Sequence, residues 1–112
     1  MKIWLDDERD PKDQFVQDNY GANGDERWCK TVQECANLIR TGKVESISFD
    51  NDLGPGNDEG YKLANWIEWY ASQGKIPKMK WYVHTQNTVA YKKICIAMQN
   101  ADKYWNQLTV DD

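Results

Sequence analysis

Apolar residues in this chain fall into short runs that alternate with stripes at helical spacing. Ile3–Leu5, Ile47–Phe49 and Trp81–Val83 are brief runs of the kind buried in a parallel sheet. The strands they predict are Lys2–Leu5, Glu45–Asp50 and a segment from Pro77 to His84. Glu26–Lys30 reads as another short strand, and Leu108–Val110 as a last one. Between these lie three helical patterns. Thr31 and Glu34 have capping-box spacing, and Val32, Cys35, Ala36 and Ile39 follow on one face before Gly42. Gly60–Ser72 carries Leu63, Ala64, Ile67, Tyr70 and Ala71 as its inward stripe. Asn87 or Thr88 caps a third helix with Ala90, Ile94, Ala97, Met98 and Ala101 inward. Asp6 to Gly24 predicts a loop with at most a short helix, anchored by Phe15, Val16 and Tyr20. Asn51 to Asp58, with Gly54, Pro55 and Gly56, predicts another loop. Alternating strands and helices make a small parallel α/β sandwich.

That architecture gives the polar residues their meaning. In an open parallel sheet the strand carboxyl ends form one rim, and ligands bind there. Asp6 and Asp7 follow the first strand, and Asp50 and Asp52 follow the run Ile47–Phe49. Carboxylate clusters on one rim repel unless a cation or shared protons hold them, and a hard divalent cation such as Mg²⁺ takes oxygen ligands. Each cluster also has an ordinary explanation. Asp6-Asp7 suits a solvated loop or helix cap, and Asp50-Asn51-Asp52-Leu53-Gly54 suits a turn. Leu53, apolar in a polar loop, argues that the second loop folds back on the core.

His84-Thr85-Gln86-Asn87 ends the third apolar run and delivers the only histidine to the same rim. Histidine titrates near neutrality and serves as general acid or base, or as a structural residue. Asn87 is a phosphate contact or simply a helix cap. A helix start at the rim also offers N–H groups to a phosphate. Arg9, two residues past the acidic pair, is either a phosphate clamp or a surface partner of Glu8 or Asp10.

Length and composition narrow the classes. A chain of 112 residues is one domain, 1–112. Net charge −4 disfavours an extended nucleic-acid groove. No apolar run is long enough for a bilayer and the start lacks a signal-peptide pattern, so a soluble, cytoplasmic chain without membrane contact is expected. Cys29, Cys35 and Cys95 lack metal-ligand spacing and read as unpaired structural thiols. Phosphate-loop, dinucleotide-fingerprint and serine-elbow motifs are absent. Six tryptophans and six tyrosines are many for this length, so some lie at the surface, to stack on a base or meet a partner. Trp69 falls opposite the stripe of its helix and Trp66 on the flank, a face suited to homo-oligomer contact or to cover by a terminal segment.

An acidic pair after the first strand, Asp50 and Thr85 together resemble a response-regulator receiver domain. That resemblance makes Asp6 or Asp7 the metal-binding acids and Asp50 the phosphoacceptor. It falters on the missing lysine after a fifth strand and on a chain too short for a fifth strand–helix unit. Trp4-Leu5-Asp6-Asp7-Glu8-Arg9, Ile47-Ser48-Phe49-Asp50-Asn51-Asp52-Leu53-Gly54 and His84-Thr85-Gln86-Asn87 are closer to another group. They resemble the cyclic-phosphate processing receiver-like domain, with Thr85 where serine is expected. The resemblance implies a receiver-like, flavodoxin-like three-layer sandwich around a short, mostly parallel sheet. It implies a cyclic phosphate of a nucleotide or RNA end as ligand.

On that basis three functions stand. One is metal-assisted hydrolysis of the cyclic phosphate. Asp6, Asp7, Asp50 and Asp52 hold Mg²⁺ or Mn²⁺, His84 and Asp50 do the chemistry, and Arg9, Thr85 and Asn87 bind phosphate oxygens. The second is a module that binds or sequesters a cyclic nucleotide without turnover. The third is a phosphorelay receiver with Asp50 as acceptor.

Overall fold

A computed structural model describes residues 1–110. The elements run β1 (Lys2–Leu5), α1 (Gln14–Tyr20), β2 (Arg27–Cys29), α2 (Val32–Ile39), β3 (Ser46–Phe49), α3 (Gly60–Ser72), β4 (Lys80–Val83) and α4 (Thr88–Val110). The four strands form one parallel sheet in the order β2-β1-β3-β4. This is a receiver-like, flavodoxin-like α/β fold, as the family resemblance implies. No helix among the described residues is long and apolar enough to cross a membrane.

Register fixes what each sheet face carries. Ile3 and Ile47 align with Trp81, and Leu5 and Phe49 with Val83. These side chains join the main core with Leu63, Ala64 and Ile67 of α3 and Ile94, Ala97 and Met98 of α4. Trp4, Ser48 and Tyr82 occupy the alternate row, as a period of two requires. That second face receives only α1, where Trp4 packs with Val16 and Ala22 beside Trp28 and Tyr20. The sandwich therefore has three layers of unequal thickness.

The helices begin and end where their caps dictate. Asp13 accepts the Phe15 N–H at the start of α1, and Gly21 closes it at φ 83, a conformation that favours glycine. Thr31 accepts the Glu34 N–H at 3.2 Å and starts α2. Asn87 Oδ1 accepts the Ala90 N–H at 3.1 Å, so Asn87 caps α4.

Several expectations shift. Phe15 is exposed rather than an anchor of the first loop, because α1 turns Val16 and Tyr20 to the sheet and Phe15 away from it. Leu108–Val110 continues α4 instead of adding a strand. No glycine or proline interrupts the chain from Thr88 to Val110, so nothing in the sequence breaks the helix there. Cys29 and Cys35 are buried and Cys95 half-buried, all as free thiols. Trp69 is 53% exposed with Lys75 over its ring, whereas Trp66 is half-buried, stacked on Tyr70 at 4.2 Å.

Candidate functional site

The strand order reverses between β1 and β3, and there the rim opens a crevice. The ladder runs one residue past the strands. Asp6 N–H donates to Cys29 C=O at 3.0 Å, Asp50 to Leu5 at 2.9 Å and His84 to Phe49 at 2.9 Å. Main-chain bonds thus set Asp6, Asp50 and His84 side by side, all buried, with one ligand atom of each within 4.8 Å of the others.

Asp6 has no exposed surface and a full set of partners. Oδ1 accepts the N–H groups of Glu8 and Arg9 at 2.9 and 3.0 Å. Oδ2 faces Arg9 Nη1 at 3.2 Å and His84 Nε2 at 3.0 Å. Burial alone would raise its pKa, but these donors outweigh it and hold the carboxyl below its ordinary value. Asp50 shows the opposite balance. Burial and the neighbouring Asp6 charge raise its pKa, against the Asn51 N–H, His84 and Arg9.

Arg9 settles between these acids, 3.2 Å from Asp6 and 3.7 Å from Asp50. Its guanidinium also lies 4.3 Å from the centre of the Tyr20 ring. The surface pairing with Glu8 or Asp10 is therefore replaced by an internal one. Two indoles brace the loop, with Trp28 Nε1 donating to Asp6 C=O at 2.7 Å and Trp4 Nε1 to Arg9 C=O at 2.9 Å.

His84 lies beneath the rim. Its ring stacks on Trp4 at 3.9 Å, and Nδ1 is 2.8 Å from Ser48 Oγ. Because the ionised Asp6 only accepts, Nε2 carries a proton, and in the neutral ring Nδ1 accepts from the Ser48 hydroxyl. Ser48, His84 and Asp6 form a buried chain of hydrogen bonds. Ser48 was not among the residues singled out from sequence. Its signal was present, a polar side chain alternating with Ile47 and Phe49.

Above this layer, Asp7, Asp50, Asp52, Arg9, Thr85 and Asn87 line a rim cavity of about 580 Å³. Every expected site residue except Asp6 and His84 reaches it; those two form its support. No lysine lines it among the described residues, so a receiver's usual readout cation has no counterpart there. Thr85 Oγ1 accepts the Asn87 N–H at 3.3 Å, leaving the Thr85 hydroxyl a donor beside the start of α4. Asn51, also missed from sequence, organises the β3–α3 loop. It is buried, its Oδ1 accepts the Tyr61 N–H at 3.1 Å, and its Nδ2 donates to Glu59 at 3.0 Å. Gly60 lets α3 start against β3, since a Cβ there would collide with the Asp50 carbonyl oxygen. Leu53 is buried, so the loop does fold back on the core.

Residues 1–100 match the family model described as the cyclic-phosphate processing receiver domain. The chain belongs to this family. No curated protein and no solved structure gives a significant match. In this cyclic-phosphate processing receiver domain both acidic clusters and the His84-Thr85 pair lie on one rim.

Among the described residues one donor set brings its ligand atoms close enough together for a cation. Asp6, Asp50 and His84 are close enough, but Arg9 already neutralises the pair and His84 Nε2 is turned to Asp6. Asp7, Asp50 and Asp52 line the open cavity above that group and bring carboxylates, the ligand type that Mg²⁺ and Mn²⁺ take. The charge beside Asp50 that raises its pKa is what a cation there relieves.

Proposed function

We propose that this domain hydrolyses a cyclic phosphate of a nucleotide or RNA end in the rim cavity, with a divalent cation. One observation carries the reading. Acidic cation donors and neutral anion donors line the same cavity, at the strand-order reversal, in a chain of the cyclic-phosphate processing family.

Asp7, Asp50 and Asp52 hold the cation. Bound Mg²⁺ or Mn²⁺ supplies Lewis acidity toward the phosphate and lowers the pKa of water. Thr85, the Asn87 amide and the first N–H groups of α4 bind non-bridging oxygens. Arg9 reaches the cavity while tied to Asp6 and Asp50, so it balances charge at the acids as well as at the phosphate. Hydrolysis forms a bond from water oxygen to phosphorus and breaks one to a sugar oxygen. The water proton must leave and the sugar oxygen must gain one. With the cation in place Asp50 serves as its ionised ligand, and both protons exchange with solvent in the open cavity. His84 acts from behind, fixing Asp6 and through it the Arg9 loop.

The test is turnover of a 2′,3′-cyclic nucleotide panel with Mg²⁺, Mn²⁺ or EDTA, followed by phosphorus NMR. Metal-dependent opening that Asp50→Asn and Asp7→Asn abolish and His84→Ala weakens is the expected result. Opening that persists in EDTA or in Asp50→Asn overturns the assignment. Binding without opening establishes a sequestering module instead.

A further inference from the structure

A second cavity, of about 390 Å³, lies on the sheet face that α1 leaves uncovered, within the roughly 300–1,000 Å³ usual for small-molecule sites. Tyr20, Asn23, Glu26, Ser48, Tyr82 and His84 define it. Its chemistry is the reverse of the rim's. No lysine or arginine lines it among the described residues, and Glu26 brings a carboxylate, so a phosphate is repelled. Tyr82 is 59% exposed on a strand and presents a flat aromatic surface. With the ring neutral, Ser48 donates its hydroxyl hydrogen to His84 Nδ1 and keeps lone pairs as acceptors. The Glu26 oxygens take one N–H each, from Asn23 and Gly24, both at 2.8 Å, and keep capacity for more. An aromatic surface with acceptors and no cation fits a flat, neutral ring that carries N–H groups.

The cavity also shares a wall with the rim. Tyr20 lines it, accepts a hydrogen bond from Gln86 at 3.3 Å and carries Arg9 on its ring. Gln86 and Arg9 both line the rim cavity. A ligand with a phosphate in the rim and an uncharged ring across Tyr20 meets suitable chemistry at both ends.

We propose that this second cavity is a nucleoside-binding pocket, in which Tyr82 stacks on the base and Ser48 and Glu26 accept its N–H groups. The pocket deepens the reading of the rim as a cyclic-phosphate site and rests on it for the ligand being a nucleotide. It replaces the tryptophans expected for base stacking, since none lines either cavity.

The experiment is an amide NMR titration of the full chain with adenosine, guanosine, cytidine and uridine, none carrying phosphate. The expected result is saturable shifts of the Ser46–Ser48 and Trp81–Val83 amides with at least one nucleoside. Tyr82→Ala weakens that binding at least about tenfold, and Tyr82→Phe holds it within about threefold. Tyr82 is exposed, so its variants keep the fold. Silence at millimolar nucleoside, shifts confined to rim amides, or indifference to Tyr82→Ala overturns the pocket. So does a shift of the Tyr82 region with protein concentration alone, which assigns the face to a second copy. Cyclic-phosphate turnover with no nucleoside response refutes the pocket and spares the rim; nucleoside binding with no turnover does the reverse.

Discussion

On one face of the sheet Ile3, Leu5, Ile47 and Phe49 lie beneath α2, α3 and α4; on the other, Trp4, Ser48 and Tyr82 meet only the short α1. The first face is apolar and closed. The second holds a Ser48–His84–Asp6 hydrogen-bond chain under one buried indole and leaves Tyr82 in solvent. The difference separates stability from chemistry. A domain of this size has one face to spare for polar groups only because the other supplies a continuous core.

The largest expected effect contrasts the two faces directly. Phe49→Ala should cost about 3–5 kcal/mol of unfolding free energy, because its cavity opens in the closed core. Tyr82→Ala should stay within about 0.5 kcal/mol. Urea melts of both variants check this, and equal losses would show the open face to be load-sharing.

The next effect divides the two buried acids. Without metal, Asp6→Asn should lose about 1–3 kcal/mol near neutral pH, since it weakens bonds to His84 and Arg9. Asp50→Asn should be neutral or stabilising, because it removes a charge that burial and Asp6 both oppose. The signs follow from linkage. The lowered Asp6 pKa gives stability present above the unfolded value and lost as pH falls through the folded one. The raised Asp50 pKa gives a contribution present below the unfolded value and lost as pH rises through the folded one. Stability against pH in EDTA should therefore steepen on the acid side in Asp50→Asn and flatten in Asp6→Asn.

A cation should sharpen the contrast between rim and core. At roughly ten times its Kd, Mg²⁺ should raise wild-type stability by about 1.4 kcal/mol. Thermal melts should show no such gain in Asp50→Asn. Smallest of all, Ser48→Ala should cost about 1 kcal/mol by removing the hydroxyl partner of His84 Nδ1. Nitrogen NMR of the imidazole should register that loss while Nε2 keeps its proton.

Much of the fold was legible because it depends on local pattern. The helix Gly60–Ser72 and the strand Lys2–Leu5 coincide with their expected bounds, as unbroken periodicity and nearby glycines allow. The strand ends were overextended at Glu26, Lys30 and Pro77, where polar or proline residues flank the ladder. The expected strand Leu108–Val110 failed because a few apolar residues carry no period of their own, and the preceding helix claims them. Ser48 has no local signature as a site residue, because it sits inside an apolar run and its partner His84 lies 36 positions away.

Local pattern along the chain was enough for the alternation of elements, a parallel sheet and the arrival of Asp7, Asp50, Asp52, Thr85 and Asn87 at a common rim, whereas the strand order and the place of Asp6 and His84 beneath that rim came from the structure. The former follow from periodicity, caps and the rule that strand carboxyl ends share an edge. Only the tertiary structure decided which acid is held ionised by Arg9 and His84, and which is left burdened by its neighbour. Only it turned His84 toward Ser48 and put Tyr82 on an uncovered face. Those outcomes depend on distances of a few ångströms between residues far apart in the chain, where burial and Coulomb interaction, unlike hydrophobic period, have no local signature.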